Sequence, residues 1–361
     1  MKLLLLFGAM LIILGCQSQH AHDDKPSGYF SARDPRLVCT GRFLDLENGK
    51  QFAWSGSRID VRFSGTSCDL LLRCLPGVEH LPFLPLVDYY LLIVDGQESV
   101  ITIGADTEFV RVDSLASGEH QLTLFKRTEA LVAEGIFSGV ILDPDAALLP
   151  PSKLPARNIE FIGNSITCGY GNEGESASCP FSPETENAWL TYSHLAAQSL
   201  DARYVSVCYS GKGVFQNYDK TRTETMPDLW SRYSPSLENT WDYSWIPEVV
   251  VINLGTNDFA HRVPDRKSFI EAYLDLIKRV RASYPGASIV CLTGSMMSGK
   301  RLITIQAYLD EAVKAANMPR LYRFDLSTQG ALGYGCSSHP NVAQHQKNAA
   351  ELSVFLEEIW P

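Results

Sequence analysis

The chain has 361 residues, of which 45% are hydrophobic, enough for two domains with buried cores. Its formal net charge is −10, and we find no basic cluster in the sequence. This composition argues against a nucleic-acid partner, since proteins that bind nucleic acids present basic patches.

The first residues have the pattern of an export signal. Lys2 precedes an uninterrupted apolar run, Leu3–Leu14, which is too short to span a bilayer and is followed by Gly15 and Cys16. The end of this run resembles a bacterial lipobox, in which Cys16 becomes the lipidated N-terminus. An ordinary signal peptide cut nearby is the alternative.

These observations predict a lipoprotein signal peptide over residues 1–16 and a polar tether over 17–30. The protein is then exported to the periplasm or the cell surface. We expect it to contact the membrane only through its lipid anchor.

Residues 31–143 have the pattern of antiparallel β-structure. Short strand-like runs are separated by turn signals and show no helical period, which is typical of a β-sandwich of the jelly-roll type. These runs are Ser57–Ser64, Tyr89–Val94, Ile101–Ile103, Phe109–Val112, Gln121–Arg127 and Gly135–Leu142. No titratable cluster stands out here, so we expect the domain to contribute no catalytic residue, although it can form one wall of a cleft.

A proline-rich stretch, residues 144–156, is the predicted domain boundary because closely spaced prolines make a stiff connector. Strands and helices alternate from residue 157 to residue 361, which predicts a parallel sheet covered on both faces. The strands are Ile159–Gly163, Tyr204–Tyr209, Val249–Leu254, Ser288–Thr293 and Leu321–Asp325. The helices are Asn187–Leu200, Lys267–Tyr284, Ile303–Asn317 and Ala343–Ile359.

Polar residues follow four of these predicted elements. Ser165 comes directly after the first strand, Gly211 after the second, Asn257 after the third, and His339 shortly before the last helix. The carboxyl ends of parallel strands meet at one edge, so these residues are expected to form an acyl-transfer site. His339 would deprotonate Ser165, while the N–H of Ser165, Gly211 and Asn257 would bind the oxyanion.

Each of these residues also has an ordinary structural reading. The serine or the asparagine can cap a helix, the glycine can simply turn the chain, and the histidine can sit in a loop. Gly213 is the alternative oxyanion donor in the loop after the second strand.

The crossover Lys212–Trp245 is long and rich in aromatic residues. Loops of this length in compact domains tend to be functional, although a small satellite core is an equal alternative. Tyr218, Trp241 and Trp245 from this segment, together with Phe259, are the predicted substrate-binding residues, since aromatic rings suit sugar stacking.

The chain contains nine cysteines. Export permits disulfides without dictating them. Cys168 and Cys179 flank the glycine-rich loop after Ser165 and are the best predicted pair, while Cys208 and Cys291 lie in apolar strands and are expected to be buried thiols.

The order GNS, SGKG, GTND and HPN resembles the SGNH (GDSL-like) hydrolases. The fuller resemblance is to the family 2 carbohydrate esterases, which are similar over nearly all of the mature chain. It rests on FAWSGSRI at Phe52–Ile59, LFKRTE at Leu124–Glu129, GNSITCGYG at Gly163–Gly171, ENAWLTY at Glu186–Tyr192 and INLGTNDF at Ile252–Phe259.

This resemblance implies a jelly-roll β-sandwich joined to an SGNH-type α/β/α domain with a flavodoxin-like, five-stranded parallel sheet. It also implies removal of acetyl groups from plant polysaccharide, such as xylan or glucomannan, without metal or organic cofactor. Ser165 would be the nucleophile, His339 the base, and Gly211 and Asn257 the oxyanion donors.

The sequence departs from the SGNH pattern beside the histidine. Those enzymes usually carry an aspartate two or three residues before it, and here these positions are Ser337 and Cys336. A Ser–His dyad with a backbone carbonyl orienting the imidazole is one interpretation, and Asp325 or a remote acid as third member is another. A lipid esterase or thioesterase, and a non-catalytic glycan-binding lipoprotein, are the rival functions.

Overall fold

The computed structural model describes residues 12–15, 26–78 and 86–361, with the backbone alone for 12–15. The N-terminal part of the described chain is built from antiparallel strands. They are β1 Ile12–Gly15, β2 Tyr29–Ser31, β3 Val38–Thr40, β4 Leu44–Leu46, β5 Gly49–Phe52, β6 Arg58–Gly65, β7 Cys68–Pro76, β8 Val87–Val94, β9 Gln97–Gly104, β10 Phe109–Val112, β11 Gly118–Lys126 and β12 Ala133–Leu142.

These strands form two sheets. One has the order β4, β5, β12, β7, β10 and β1, with β2 also paired to β12, and the other has the order β3, β6, β11, β8 and β9. From β5 to β12 the chain changes sheet at every step except the hairpin between β8 and β9. This alternation is that of a jelly roll, so the predicted sandwich is confirmed.

The period-two pattern of the strands explains the core of the sandwich. In β6, Ile59, Val61 and Phe63 are at most 1% exposed, whereas the residues between them are partly exposed. Successive side chains on a strand point to opposite faces, so these three fill the space between the sheets.

Strand β1 coincides with the end of the run predicted to be the export signal. Its backbone pairs antiparallel with β10, from Ile12 opposite Val112 to Gly15 opposite Phe109. Cys16, the predicted lipidation site, lies outside the described residues. The signal peptide and the anchor therefore stay predictions.

The proline-rich stretch 144–156 runs along the sandwich. Leu148 is only 3% exposed and belongs to the sandwich core. The N–H of Leu149 donates to the carbonyl of Arg62 at 2.7 Å. This stretch is thus attached to β6 before the chain enters the second domain.

The second domain alternates strands and helices. Its elements are β13 Arg157–Gly163, α1 Ser165–Cys168, α2 Tyr192–Ser199, β14 Ala202–Cys208, α3 Met226–Trp230, β15 Val249–Asn253, α4 Arg266–Ser283, β16 Ser288–Thr293, α5 Gly299–Ala316, β17 Leu321–Asp325 and α6 Val342–Ile359. Short 3-10 helices occur at Pro183–Thr185, Ala188–Leu190 and Cys336–Ser338.

The five strands of this domain are parallel, in the order β14, β13, β15, β16 and β17. In chain order this is 2-1-3-4-5, the flavodoxin-like arrangement, which confirms the predicted fold. Apolar residues of α4 and α5 pack on one face of the sheet, and those of α2 and α6 pack on the other. Ligands bind such sheets where the strand order reverses, here between β13 and β15.

The two domains are joined by buried polar contacts. Arg42 of the sandwich is fully buried and lies 3.1 Å from the carboxylate of Glu160 in β13. The indole N–H of Trp54 donates to the carbonyl of Tyr233 at 2.8 Å. Each buried group finds its partner in the other domain, so the interface depends on both.

Among the residues that the structure describes, no helix is both long and apolar enough to cross a membrane.

Candidate active site

Ser165 stands at the switch point of the parallel sheet. Strand β13 ends at Gly163, where a Cβ would lie 2.0 Å from the hydroxyl of Thr167, so this sharp turn requires glycine. Asn164 caps α1 by accepting the N–H of Ile166 at 3.2 Å. Ser165 is therefore the first residue of the helix rather than its cap, and its N–H has no intrahelical acceptor.

His339 is placed against this serine. Its Nε2 lies 2.9 Å from the Ser165 hydroxyl, and its Nδ1 lies 3.1 Å from the carbonyl oxygen of Ser337. A carbonyl can only accept, so Nδ1 must carry the proton in the neutral ring. Nε2 is then free to accept the proton of Ser165, which is the geometry of a nucleophile with its base.

No carboxylate among the described residues makes a hydrogen bond to His339. Asp325, the acid that the sequence offered as a third member, lies at the end of β17 and accepts a bond from Arg323 at 2.8 Å. The structure therefore presents a dyad, in which the Ser337 carbonyl orients the imidazole.

Burial lowers the pKa of His339 to about 4, and hydrogen bonds to the backbone at Ser337 and Cys336 offset this only in part. The ring of Tyr170 packs on the imidazole with centroids 4.4 Å apart, and the ring of Phe181 stacks on Tyr170. His339 is consequently neutral near pH 7, as a general base must be.

The loop before His339 has an unusual backbone. Ser337 and Ser338 both adopt positive φ, 51° and 59°, a region that non-glycine residues rarely occupy. The N–H of Ser337 donates to the carbonyl of Cys179 at 2.8 Å, and Cys336 forms a disulfide with Cys179. These contacts hold the loop in the conformation that presents the Ser337 carbonyl to the imidazole.

The predicted disulfide between Cys168 and Cys179 is therefore wrong. Cys168 lies in α1, fully buried, with its sulfur 2.6 Å from that of Cys208. Cys179 pairs instead with Cys336, which is 157 residues away in the sequence. Closeness in the chain suggested the first pairing, whereas the fold brings the distant loop of Cys336 beside the loop of Cys179.

Gly211 and Asn257 border the same cavity as Ser165. Gly211 has φ of +78°, which glycine adopts without strain, and it turns the chain after β14. The amide nitrogen of Asn257 donates one hydrogen to the carbonyl of Lys212 at 2.7 Å, which leaves its second hydrogen for a ligand.

Gly213, the alternative donor, is otherwise engaged. Its N–H donates to the side chain of Asn217 at 3.1 Å, and the residue does not line the cavity. Of the two glycines, Gly211 is the one at the site.

The carboxylate of Asp258 supports the segment that follows Gly213. It accepts the N–H groups of Val214, Phe215 and Gln216 at 3.0, 2.7 and 2.8 Å. Burial raises its pKa to about 6, and the three backbone bonds oppose that rise. Sequence reasoning missed this role, although the residue follows Asn257 within the GTND motif.

The cavity in front of Ser165 has a volume of about 680 Å³ and draws residues from both domains. Its walls include Leu131, Tyr170, Tyr218, Met296, Met297 and Arg301. Leu131 belongs to the sandwich, which thus forms one wall, and the methionines follow β16. Apart from Tyr218, sequence patterns gave no reason to select these residues.

The four predicted substrate-binding aromatics behave differently from one another. Tyr218 lines the cavity and is 57% exposed, so its ring is available to a ligand. Phe259 borders the cavity but is 0% exposed and packs edge-on against Phe269. Its predicted stacking role is therefore wrong, because its ring belongs to the core.

Trp241 and Trp245 do not line the cavity. Trp241 is largely buried under the guanidinium of Arg42 from the sandwich, and Trp245 lies under that of Arg203. The prediction that they bind substrate is wrong, because Trp241 is buried, Trp245 packs partly buried against the hydrophobic core, and neither ring reaches the cavity.

Three potential metal-ligating atoms, from Glu129, Cys168 and Glu186, lie within 4.8 Å of one another in the described chain. They lie behind the Gly211 turn and do not line the cavity. Both carboxylate oxygens of Glu129 already accept hydrogen bonds from Ser210. Glu186 accepts the backbone N–H of Glu129 at 3.2 Å through one oxygen, whereas its other oxygen, Oε1, is buried without a hydrogen-bond partner among the described residues.

Comparisons with known proteins agree with this architecture. A model of the carbohydrate esterase 2 N-terminal domain matches residues 39–151, and a model of the GDSL-like lipase/acylhydrolase family matches residues 161–347. The chain is 37% identical over 332 residues to the cellulase/esterase CelE of Acetivibrio thermocellus, covering 90% of this chain and 39% of that protein. The chain therefore spans well under half the length of that relative.

Two other relatives are matched along most of their length. An acetylxylan esterase / glucomannan deacetylase of Cellvibrio japonicus is 30% identical over 331 residues, with 86% of each chain covered. A family two carbohydrate esterase from Clostridium thermocellum, solved in complex with cellohexaose, is 35% identical with a TM-score of 0.83. That match covers 89% of this chain and 98% of the solved one. The chain therefore belongs to the family 2 carbohydrate esterases.

Proposed function

We propose that this protein is a carbohydrate O-acetyl esterase that uses Ser165 as nucleophile and His339 as base. The observation that carries the proposal is the 2.9 Å contact between the Ser165 hydroxyl and His339 Nε2 inside the cavity. Gly211 and Asn257 stand beside the same serine, where an oxyanion would form.

The reaction follows from this geometry. Ser165 Oγ attacks the acetyl carbonyl while its proton passes to His339 Nε2, and the carbonyl oxygen becomes an oxyanion. The N–H groups of Ser165 and Gly211 and the free amide hydrogen of Asn257 bind that oxyanion. The intermediate collapses, the sugar hydroxyl leaves with the proton from His339, and Ser165 keeps the acetyl group.

Water then completes the cycle. His339 takes a proton from the water, the resulting hydroxide adds to the acetyl-serine, and acetate leaves as Ser165 regains its proton. The Ser337 carbonyl accepts the Nδ1 hydrogen throughout and so keeps Nε2 directed at the reacting atoms.

A polysaccharide is the proposed substrate class. Relatives in Cellvibrio japonicus are named acetylxylan esterase / glucomannan deacetylase, and the solved relative from Clostridium thermocellum holds a cellohexaose. The exposed ring of Tyr218 at the cavity rim supports the same assignment, because aromatic faces stack on sugar rings. Xylan and glucomannan are the first substrates to test.

We also propose that the protein is an exported lipoprotein anchored through Cys16. The support is the sequence alone: Lys2, the apolar run Leu3–Leu14, and the lipobox-like Ile13–Cys16. Cys16→Ala should prevent labelling by a palmitate probe in cells. Equal labelling of this variant and the wild type would contradict the anchor.

The function is tested by acetate release from acetylated xylan and acetylated glucomannan. Wild type should release acetate, and Ser165→Ala should lose turnover by several orders of magnitude with an unchanged circular dichroism spectrum. A folded Ser165→Ala variant with near-wild-type release would overturn the nucleophile. Binding of both polysaccharides without any release by wild type would favour the rival glycan-binding function.

A further inference from the structure

The loop that follows β11 extends from the sandwich into the catalytic domain. The carbonyl of Arg127 accepts the N–H of Ala188 at 2.9 Å, and Leu131 reaches the cavity wall. Between them Glu129 is 0% exposed. A buried carboxylate is costly unless its oxygens are hydrogen-bonded, so its partners show what holds it there.

Both oxygens of Glu129 bind Ser210, the residue directly before Gly211. One accepts the backbone N–H of Ser210 at 2.7 Å, and the other accepts its hydroxyl. The carboxylate therefore fixes both the backbone and the side chain of Ser210. The peptide that carries the Gly211 N–H starts at this fixed residue.

Glu129 also contacts the helix that carries the nucleophile. Its own N–H donates to the carboxylate of Glu186 at 3.2 Å, and the sulfur of Cys168 lies 3.6 Å from one of its oxygens. Cys168 is the last residue of α1, the helix that starts at Ser165. Glu129 thus lies between the oxyanion turn and the nucleophile helix.

We propose that Glu129 of the sandwich domain is a positioning residue for the oxyanion hole. It holds Ser210 so that the N–H of Gly211 points at the developing oxyanion, and it touches no substrate itself. This inference rests on the proposed esterase function, and it assigns to the sandwich a part in the reaction that its sequence did not show.

The expected effect follows from what the Gly211 N–H does. Loss of one oxyanion donor lowers turnover by about 10²–10³-fold, so a displaced donor should lower it by roughly 10–10²-fold. A preorganised donor acts mainly on the transition state, so kcat should fall while KM stays within about threefold.

Glutamine provides a conservative replacement. Burial raises the pKa of Glu129. Burial and the neighbouring carboxylate of Glu129 together raise the pKa of Glu186 well above its ordinary value. Glutamine has the shape of the protonated acid, and its amide can bond both the N–H and the hydroxyl of Ser210. Glu129→Gln should recover most of the turnover that Glu129→Ala loses.

Glu134 supplies a matched control. It is also a buried carboxylate of the sandwich that binds a serine hydroxyl of the catalytic domain, Ser234, at 2.6 Å. Its second oxygen accepts from Gln51 at 2.7 Å. Glu134→Ala should lower the melting temperature as Glu129→Ala does but leave kcat near wild type, because Ser234 does not line the cavity.

The experiment measures kcat, KM and melting temperature with an activated acetyl ester for Glu129→Ala, Glu129→Gln, Ser210→Ala and Glu134→Ala. The proposal predicts low kcat for Glu129→Ala, partial loss for Ser210→Ala, and recovery in Glu129→Gln. If Glu129→Ala does not fold, Ser210→Ala, which removes only the hydroxyl contact, still tests it. Unchanged kcat in Ser210→Ala or in folded Glu129→Ala would overturn the inference.

A second reaction separates this inference from the proposed function. Ser165 Oγ displaces fluoride from a fluorophosphonate probe, with the serine proton passing to His339, and the phosphoryl oxygen occupies the oxyanion hole. If wild type hydrolyses no acetyl ester, the proposed function fails, and the labelling rate remains as the readout. Labelling of Glu129→Ala at the wild-type rate would then overturn the positioning role.

Discussion

The two sides of the catalytic serine are supported by different chemistry. On the oxyanion side, buried carboxylates accept backbone N–H groups: Glu129 binds Ser210, and Asp258 binds the residues from Val214 to Gln216. On the base side, His339 has a single carbonyl as its partner at Nδ1.

This difference follows from what each side must present. A turn that aims N–H groups at a substrate needs acceptors for its remaining N–H groups, and a carboxylate can accept several. An imidazole needs only one acceptor to fix its tautomer and plane. Here a loop constrained by the Cys179–Cys336 disulfide supplies that acceptor, and the usual carboxylate is dispensed with.

The largest effect is expected from breaking the oxyanion side directly. Asn257→Ala should lower kcat by about 10²–10³-fold with little change in KM, since the amide acts on the developing negative charge. Steady-state kinetics on an activated acetyl ester measure both constants. A rise in KM alone would mean that Asn257 binds the sugar instead.

Removing the Cys179–Cys336 disulfide, which constrains the loop before His339, should have a smaller effect on turnover. Cys336→Ser frees a loop in which Ser337 and Ser338 hold positive φ, so the imidazole loses its orientation and kcat should fall by up to ~10²-fold. The chain-entropy model also gives a loss of roughly 5 kcal/mol for a crosslink of such long span. Denaturation in urea measures the second effect.

Cys39→Ser is the control for this variant, because Cys39 is a free cysteine of the sandwich. It should change neither kcat nor the urea midpoint appreciably. Full activity of Cys336→Ser would show that backbone contacts alone hold the loop.

The pH dependence of kcat/KM tests the protonation state of His339. His339 must be neutral to act, and burial lowers its pKa to about 4, so kcat/KM should be flat at neutral pH and fall only as the pH approaches 4. A histidine with an unperturbed pKa would give an acid limb near pH 6.5 instead. If kcat/KM of the wild type already falls at pH 6.5 or above, the result would contradict a His339 pKa of about 4.

A carboxylate placed next to the imidazole should move this limb. In Ser337→Asp the negative charge favours the imidazolium, which raises the pKa of His339 and shifts the limb to higher pH. Aspartate also tolerates the positive φ of this position better than most residues. Ser337→Asn, with the same shape and no charge, is the control and should leave the limb in place.

The smallest effect is expected at Asp325. Its carboxylate pairs with Arg323 and does not contact His339, so Asp325→Asn should keep kcat within about twofold. A loss approaching ~10⁴-fold would instead identify Asp325 as an orienting acid.

Much of this architecture follows from sequence because local patterns determine it. Period-two runs and turn residues predict the sandwich, and the alternation after residue 157 predicts the parallel sheet. The carboxyl ends of parallel strands share one edge, so the positions after β13, β14 and β15 could be brought together without a structure.

The contacts that cross between distant segments could not be predicted in this way. Cys336 and Cys179 are 157 residues apart, and only the fold brings together the two loops that carry them. Glu129 appears in the sequence only as the last residue of the LFKRTE motif, and its burial behind Ser210 depends on how two domains pack. Trp241 and Trp245 had the right chemistry for sugar stacking, but the packing of their rings against Arg42 and Arg203 is set by the tertiary fold.

We infer that His339 acts as a neutral base without a carboxylate partner, and ¹⁵N NMR of its imidazole ring can observe this protonation state in solution. We expect a neutral ring at pH 7, protonated at Nδ1 where it donates to Ser337, that titrates near pH 4. Comparison with His339→Ala assigns the resonance. A ring that titrates above 6.5, as an imidazole beside a carboxylate does, would contradict the account.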